Sequence, residues 1–234
     1  MTVLDVPGVA NFRDVGGIAV GNSRVRDGVL FRSGQLAGLT DAGSEFLHSS
    51  VHHIVDLRDD MEVSSEPSAI RDIPTTRLPL FVGSVASFFT ENAGLTEMYR
   101  HLVDQAGPKL VDAMRIIGSS PSTLVHCTVG KDRTGVTVAL ALSAVGADRD
   151  AVIDDYALTA SLLPEERNRQ VLAYMRSRNL DTPNAIELAT ASPAPVMRAL
   201  LAAIDAEFGS AIGYLRAQGL SDAELEALGE TLVG

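Results

Sequence analysis

The chain has 234 residues, of which 46% are hydrophobic and 5% are aromatic, with no tryptophan. This length and apolar content suit one large domain whose core is filled mainly by small aliphatic side chains. The formal net charge of −11 argues against a general nucleic-acid-binding protein, so no nucleic-acid partner is expected. The single cysteine excludes an intramolecular disulfide and any zinc site built on several thiolates.

The N-terminal residues show no basic region followed by an apolar one, so no ordinary secretory signal is expected. The longest apolar run, near residues 134–147, is shorter than the roughly 20 residues that cross a bilayer. We therefore expect a soluble protein without stable membrane insertion. It is expected to be cytoplasmic, or secreted without a recognisable signal peptide, and the sequence predicts no particular oligomeric state.

Strands and helices alternate in the first part of the chain. The predicted elements are a strand over 29–32, a helix over 40–50, a buried strand over 51–57, a polar connection over 62–73, a strand over 76–81, a helix over 85–103 and a helix opening at 107. Thr40 is the expected N-cap of the first helix, and Gly94 interrupts the helix over 85–103.

Two arginines lie in short motifs near the N-terminus, Arg13 within NFRDVGG at 11–17 and Arg32 within LFRSG at 30–34. Two interpretations are open for these arginines. They hold loops together by pairing with aspartate or glutamate, or they border the entrance to an anion site. The neighbouring phenylalanines, Phe12 and Phe31, are expected in the core.

The segment 125–135, with the sequence VHCTVGKDRTG, follows an apolar strand and precedes an apolar, helix-like run. A strand, a tight loop and a helix in this order direct backbone N–H groups and the positive end of a helix at one point. Five residues separate Cys127 from Arg133, which lets the chain wrap around an anion and bring the two side chains together. A dianionic phosphate is the expected occupant.

These residue types suit nucleophilic chemistry on phosphorus. The reactive form of Cys127 is the thiolate, which inward-facing amides, Lys131 and Arg133 would stabilise. The planar guanidinium of Arg133 can bind two phosphate oxygens at once. Attack by Cys127 would form a phosphocysteine that water hydrolyses, and this route requires no metal or other cofactor. The predicted phosphate-binding residues are Thr128, Val129, Gly130, Lys131, Asp132 and Arg133.

The pattern from His126 and Cys127 to Arg133 and Thr134 resembles the motif of the cysteine-dependent protein-tyrosine phosphatase superfamily. The fuller sequence is similar to the bacterial tyrosine and lipid phosphatases of that superfamily, through GKDRTG at 130–135, NFRDVGG at 11–17, LFRSG at 30–34, VDLR at 55–58 and GYLR at 213–216. This resemblance implies an α/β fold with a central, mostly parallel sheet flanked by helices. It also implies a single phosphatase domain over residues 1–234.

The resemblance implies hydrolysis of phosphotyrosine in proteins, with phosphoserine and phosphothreonine as further candidates. A lysine at the position of Lys131 is similar to that of phosphatases acting on phosphoinositides, so these lipids are expected substrates too. His126 and Thr134 are implied to support the loop, and His126 is not expected to act as a base. A solvated surface lysine and a merely packed histidine are the alternatives.

Two aspartates are candidates for the general acid. Asp132 lies inside the loop and would protonate the leaving oxygen or orient water. Asp56 lies at the end of the strand over 51–57, where sites in open α/β sheets are found. For each, the alternative is a structural carboxylate paired with an arginine. A general acid must approach the transferred proton to within about 3 Å, which only a structure reveals.

The last third of the sequence predicts helices. These cover 148–160, a segment opened by Pro164, a helix from Pro193 to a stop at Gly209, and a last helix with a capping box at Ser221 and Glu224. In the resembled family a helical pair forms a lid over the active site, and residues 161–190 are the candidate lid here. Plain packing of these helices on the core is the alternative.

Three other kinds of protein share parts of this sequence pattern. A phosphate-recognition module without catalysis shares the loop, but it does not require the cysteine, the arginine and Thr134 together. A rhodanese-like sulfur carrier also places a cysteine before a tight loop, but the motifs at 11–17 and 30–34 do not support it. A nucleotide-binding P-loop would need glycine at Val125 and a hydroxyl residue at Asp132, so it is excluded.

Overall fold

The computed structural model of the chain describes residues 1–80 and 94–234. Its strands are β1 (Thr2–Val3), β2 (Arg13–Asp14), β3 (Ala19–Val20), β4 (Ser23–Arg24), β5 (Leu30–Ser33), β6 (His53–Asp56), β7 (Thr75–Arg77) and β8 (Thr123–His126). One sheet has the order β1, β2, β5, β8, β6, β7, and β3 pairs with β4 separately. The strands β5, β8, β6 and β7 are parallel, whereas β1 and β2 form an antiparallel edge. The predicted mostly parallel sheet is confirmed.

Helices cover both faces of the sheet. They are α1 (Asp41–Ser50), α2 (Asp60–Ser65), α3 (Leu95–Gln105), α4 (Gly107–Ser119), α5 (Asp132–Ala144), α6 (Arg149–Leu162), α7 (Glu165–Ser177), α8 (Pro183–Thr190), α9 (Ala194–Phe208), α10 (Ala211–Ala217) and α11 (Asp222–Leu232). In residues 1–80 and 94–234, no helix is long and apolar enough to cross a membrane.

Capping residues fix several of these helices where the sequence predicts them. The side chain of Thr40 accepts a hydrogen bond from the first turn of α1, and Ser221 forms a capping box with Glu224 at the start of α11. Gly209 ends α9 in a left-handed conformation, with φ of 78°. These three predictions are confirmed.

Other predictions for the middle of the chain need correction. The predicted polar connection over 62–73 is wrong at its start, because α2 extends to Ser65 and is capped by Asp59 in a capping box. The predicted strand over 76–81 is observed as β7, which ends at Arg77. Of the predicted helix over 85–103, the second part belongs to α3, and residues 85–93 lie outside the described part of the chain.

The central strand β8 connects the two halves of the core. Leu124 packs in an apolar cluster with Phe12 and Phe31, and its neighbour Val125 packs in the larger cluster on the other face. Successive side chains of a strand point to opposite faces, so β8 is buried on both sides.

The carboxyl ends of three parallel strands meet at one edge of the sheet. His126, the last residue of β8, lies in register with Ser33 of β5 and Asp56 of β6. Loops that leave these strand ends therefore start close together, and in open α/β sheets this edge is where ligands bind.

Candidate active site

The loop between β8 and α5 turns tightly around the sulfur of Cys127. The N–H of Gly130 donates to the Cys127 Sγ over 3.3 Å. Gly130 has a φ of 73°, and a Cβ at this position would lie 2.3 Å from the carbonyl oxygen of Ser33. The loop therefore requires glycine here, both for its left-handed backbone and for the close approach to β5. The result is a backbone amide directed at the nucleophile candidate.

Arg133 lies in the first turn of α5 and forms a two-pronged ion pair with Glu62 of α2. The Nη1–Oε2 and Nη2–Oε1 distances are both 2.6 Å. The hydroxyl of Thr128 also donates to the Glu62 carboxylate. Burial raises the pKa of Glu62, but hydrogen bonds and charge from Arg133, together with the Thr128 hydroxyl, outweigh burial and lower it to about 2.

Sequence reasoning did not identify Glu62 as a functional residue. A signal for it exists, because Asp59 and Glu62 have the spacing of a helix capping box. That pattern predicts α2, but nothing in it predicts that the same glutamate reaches an arginine more than 70 residues later in the chain.

Five of the six residues predicted to bind phosphate line a cavity of about 150 Å³. Its loop residues are Cys127, Thr128, Val129, Lys131, Asp132 and Arg133. Gly130 contributes its amide to the sulfur, as described above. The structure thus brings all six predicted phosphate-binding positions and the cysteine together at one point.

Two helices of the last third cover this cavity. Arg167 and Val171 of α7, with Leu188 and Ala189 of α8, complete its lining. Arg167 donates to the carbonyl oxygen of Ala189 over 2.6 Å. It was not predicted from the sequence, where it lies in a charged stretch typical of a solvated helix face.

A larger groove of about 660 Å³ adjoins the cavity. The two share Thr128, Val129, Arg167 and Val171, and the groove extends along residues 34–38 and Glu66. Cys127 lines the smaller cavity and not the groove.

Lys131 is almost fully buried and contacts α8. Its ammonium donates to the carbonyl oxygens of Leu188 over 2.5 Å and Ala191 over 2.8 Å. Carbonyls in the last turn of a helix lack intrahelical partners, so Lys131 satisfies the C-terminal end of α8. Burial lowers the pKa of Lys131, and the charge of Asp132 opposes that effect.

The two aspartate candidates lie in different surroundings. Asp132 lies on the cavity wall with 20% of its side chain exposed, and its Oδ1 accepts from the Tyr99 hydroxyl over 2.7 Å. Asp56 is outside the cavity lining and only 3% exposed, and Arg58 donates to both of its oxygens. The structure brings Asp132, and not Asp56, beside Cys127.

Asp56 instead belongs to a buried polar cluster behind the loop. Its carboxylate lies 3.8 Å from Nε2 of His126, whose Nδ1 donates to the Cys127 carbonyl over 3.3 Å. Burial lowers the pKa of His126, despite the charge of Asp56. His126 thus lies next to the loop that it is predicted to support. Thr134 is also buried, and its hydroxyl has no hydrogen-bond partner among residues 1–80 and 94–234.

The arginines of the two N-terminal motifs support the loop from outside. Arg13 and Arg32, both fully buried, donate to the carboxylate of Asp155 on α6. Arg32 also donates to the carbonyl oxygen of Gly130 over 2.9 Å, and Asn11 donates to the same oxygen over 3.0 Å. Of the two interpretations of these arginines, pairing with a carboxylate is the observed one.

Sequence comparison agrees with this geometry. The model of the tyrosine phosphatase family matches residues 4–234. The chain is 30% identical to the triple specificity protein phosphatase PtpB of Mycobacterium tuberculosis over the full length of both chains. It is 31% identical to a candidate tyrosine-protein phosphatase of Cupriavidus necator, over 89% of this chain and 81% of that one.

A tyrosine-protein phosphatase of Nostoc commune is 25% identical, over 84% of this chain and 71% of that one. The family match and the three relatives are consistent with the cavity that Cys127 and Arg133 line together. The chain belongs to the tyrosine phosphatase family and is a phosphatase.

Proposed function

We propose that the chain hydrolyses phosphate monoesters through a phosphocysteine at Cys127. The observation that carries this proposal is the Gly130 amide directed at the sulfur, beside the guanidinium of Arg133 in one cavity. An amide and a nearby cation both favour the thiolate over the thiol. The thiolate attacks phosphorus, the bond to the leaving oxygen breaks, and water then cleaves the phosphorus–sulfur bond.

Arg133 binds two equatorial oxygens of the phosphate in this scheme. Glu62 now occupies the guanidinium donors of Arg133, so a phosphate must displace it from them. A carboxylate and a phosphate compete for these donors because each presents two oxygens at a spacing that fits the guanidinium. The loop amides and the N-terminus of α5 add further stabilisation of the negative charge.

Asp132 is the general acid in this proposal. It lines the cavity, and it retains partial contact with solvent. Asp56 is unsuited to the role. Burial raises its pKa, but the hydrogen bonds and the charge of Arg58 outweigh burial and lower it, which favours the ionised carboxylate. It also lies outside the cavity lining, whereas Asp132 lies beside Cys127.

The proposed substrates are phosphotyrosine proteins and phosphoinositides, with phosphoserine and phosphothreonine proteins as further substrates. The M. tuberculosis relative is named a triple specificity protein phosphatase, which supports this breadth. The groove beside the cavity provides room for the group that carries the phosphate. Lys131 would meet a second phosphate of a phosphoinositide after leaving the carbonyls of α8.

The helices α7 and α8 act as a lid in this proposal. The cavity beneath them, at about 150 Å³, is smaller than the roughly 300–1,000 Å³ of ordinary ligand sites. The pair has its own small apolar cluster, which includes Met175, Ala185 and Ala189. Movement of the lid helices would admit a substrate, and it would withdraw Leu188 of α8 from the main apolar cluster.

The test is phosphate release from a panel of substrates, with chelator present. The panel comprises a phosphotyrosine peptide, phosphoserine and phosphothreonine peptides, and phosphoinositide monophosphates. Wild type is expected to release phosphate, and Cys127→Ser is expected to release none. The ranking of substrates then identifies the preferred class.

Two results would overturn the proposal. Phosphate release by Cys127→Ser at the wild-type rate would exclude the cysteine mechanism. Binding of inorganic phosphate or vanadate without release from any substrate would identify a phosphate-recognition module instead.

A further inference from the structure

Two buried tyrosines that are not part of the cavity lining lie next to Asp132. The hydroxyl of Tyr99 on α3 donates to Oδ1 of Asp132 over 2.7 Å, and the hydroxyls of Tyr99 and Tyr156 lie 2.8 Å apart. Both tyrosine side chains are fully buried, and their rings meet edge to face with centroids 5.9 Å apart. Gly135 on α5 lets Tyr156 approach, because a Cβ there would lie 2.9 Å from its ring.

The number of protons available determines which hydroxyl donates in each of these hydrogen bonds. A phenol has one proton, and that of Tyr99 goes to Asp132, whose carboxylate only accepts. The bond between the two tyrosines must therefore be donated by Tyr156. Two hydrogen bonds thus point the same way, toward Asp132, and each strengthens the other.

Both phenols remain protonated at any physiological pH. Burial raises the pKa of Tyr99 well above its usual value, and the charge of Asp132 raises it further. The same two causes raise the pKa of Tyr156. Tyr99 is consequently a permanent donor to Oδ1.

Three cations lie near Asp132, and Glu62 lines the same cavity. Lys131 lies 3.4 Å from Oδ1, Arg133 follows in the same helix, and Arg167 faces Asp132 from α7. Tyr99 and Lys131 both lie at Oδ1 of Asp132. Oδ2 is therefore the oxygen left to carry the transferred proton.

We propose that Tyr99 is a positioning residue for proton transfer by Asp132, with Tyr156 as its second support. This inference rests on the proposed role of Asp132 as general acid. Tyr99 fixes the carboxyl group through Oδ1 and leaves Oδ2 directed to the leaving group. It also stabilises the carboxylate that remains once the proton has gone.

The hydrogen bond acts at a defined step. As the sulfur of Cys127 bonds to phosphorus, the bond to the leaving oxygen breaks and that oxygen takes the proton from Oδ2 of Asp132. A bond from Tyr99 to the new carboxylate is stronger than one to the neutral acid, so it favours the transition state. In the hydrolytic step a water returns a proton to Asp132 while its oxygen bonds to phosphorus and the phosphorus–sulfur bond breaks.

The experiment compares two substrates that differ in their need for an acid. Phenyl phosphate expels a basic phenolate, whereas 2,4-dinitrophenyl phosphate expels a weak base that needs no proton. The kcat/KM of both is measured for wild type, Tyr99→Phe, Tyr156→Phe and Asp132→Asn. Tyr214→Phe is the matched control, because the Tyr214 hydroxyl is buried and donates to the carbonyl oxygen of Val103, away from the cavity.

The expected result is a loss confined to the substrate that needs an acid. Tyr99→Phe lowers kcat/KM for phenyl phosphate about tenfold, the loss of one hydrogen bond to a charged group. It leaves 2,4-dinitrophenyl phosphate within about twofold of wild type, since that leaving group makes no use of acid catalysis. Vanadate binding is unchanged. Tyr156→Phe is expected to show the same pattern with a smaller loss. This second variant keeps the test valid if Tyr99→Phe does not fold.

Two outcomes overturn the inference, and a third affects the proposed function instead. An equal loss on both substrates would assign Tyr99 to packing. Tyr99→Phe matching Tyr214→Phe on both substrates, while Asp132→Asn loses about 10²–10⁴-fold on phenyl phosphate, would remove Tyr99 alone from the mechanism. If Asp132→Asn itself keeps the wild-type rate on phenyl phosphate, the proposed general acid fails first.

Discussion

Glu62 and Arg133 form a two-pronged ion pair beside Cys127, with both nitrogen–oxygen distances at 2.6 Å. The pair joins α2 to the first turn of α5, and so it fixes the orientation of a guanidinium that a phosphate must use. A carboxylate in this position can hold the arginine ready for substrate, or it can compete with substrate for the same donors. The two roles predict opposite kinetic results.

Replacing Glu62 by glutamine is expected to lower kcat/KM for 4-nitrophenyl phosphate about tenfold, because the arginine loses the alignment that fixed its donors. Steady-state kinetics measure this directly. Glu224→Gln is the matched control, since Glu224 occupies the same position of a capping box and pairs with Arg115, outside the cavity. A rise in kcat/KM for Glu62→Gln would show that Glu62 competes with substrate.

The same glutamate is expected to make stability depend on pH. Its pKa of about 2 in the fold lies below its usual 4.5, so its contribution is present above pH 4.5 and is lost as the pH falls toward 2. At pH 7 wild type should exceed Glu62→Gln in free energy of unfolding by about 1.5–3 kcal/mol. Denaturant unfolding at several pH values measures the gap. A gap that stays constant down to pH 2 would contradict this origin.

Asp155 balances two buried arginines, and its removal is expected to be costly. Asp155→Asn leaves Arg13 and Arg32 without a compensating charge, which should lower the free energy of unfolding by about 3–5 kcal/mol. Asp205→Asn, which breaks a partly exposed pair with Arg149, should lower it by at most about 1 kcal/mol. Equal losses for the two variants would contradict the structural role assigned to Asp155.

Lys131 is expected to hold α8 against the phosphate loop. Lys131→Met removes both bonds to α8 carbonyls, so amides in residues 183–191 should exchange with solvent about 5- to 100-fold faster. Hydrogen exchange followed by mass spectrometry measures this. Lys109→Met is the control, because Lys109 also donates to a backbone carbonyl, that of Pro79, outside the cavity. Unchanged protection of α8 in Lys131→Met would contradict the prediction.

The loop was predictable because its chemistry is local. Cys127, Gly130 and Arg133 follow one another within seven residues, and the strand before them and the helix after them carry clear apolar patterns. The mostly parallel sheet was predictable for a similar reason, since buried parallel strands have continuous apolar runs.

Partners supplied from far along the chain were not predictable. Glu62 reaches Arg133 through tertiary packing, and Asp155 reaches both Arg13 and Arg32 from a helix more than 120 residues away. The choice between Asp56 and Asp132 likewise depends on which carboxyl faces the cavity. Spacing along a sequence fixes the face of a helix or strand, but it does not fix the packing of one element on another.

Detection of phosphate on the cysteine tests the central claim most directly. Asp132→Ala is mixed with 2,4-dinitrophenyl phosphate, which needs no acid for the first step, and is quenched within milliseconds to seconds for mass spectrometry. We predict one phosphoryl group per chain, on the peptide that contains Cys127, and none in a variant that also carries Cys127→Ser. Turnover of substrate with no phosphoryl group on Cys127 at any time point, or with the group on another residue, would contradict the mechanism.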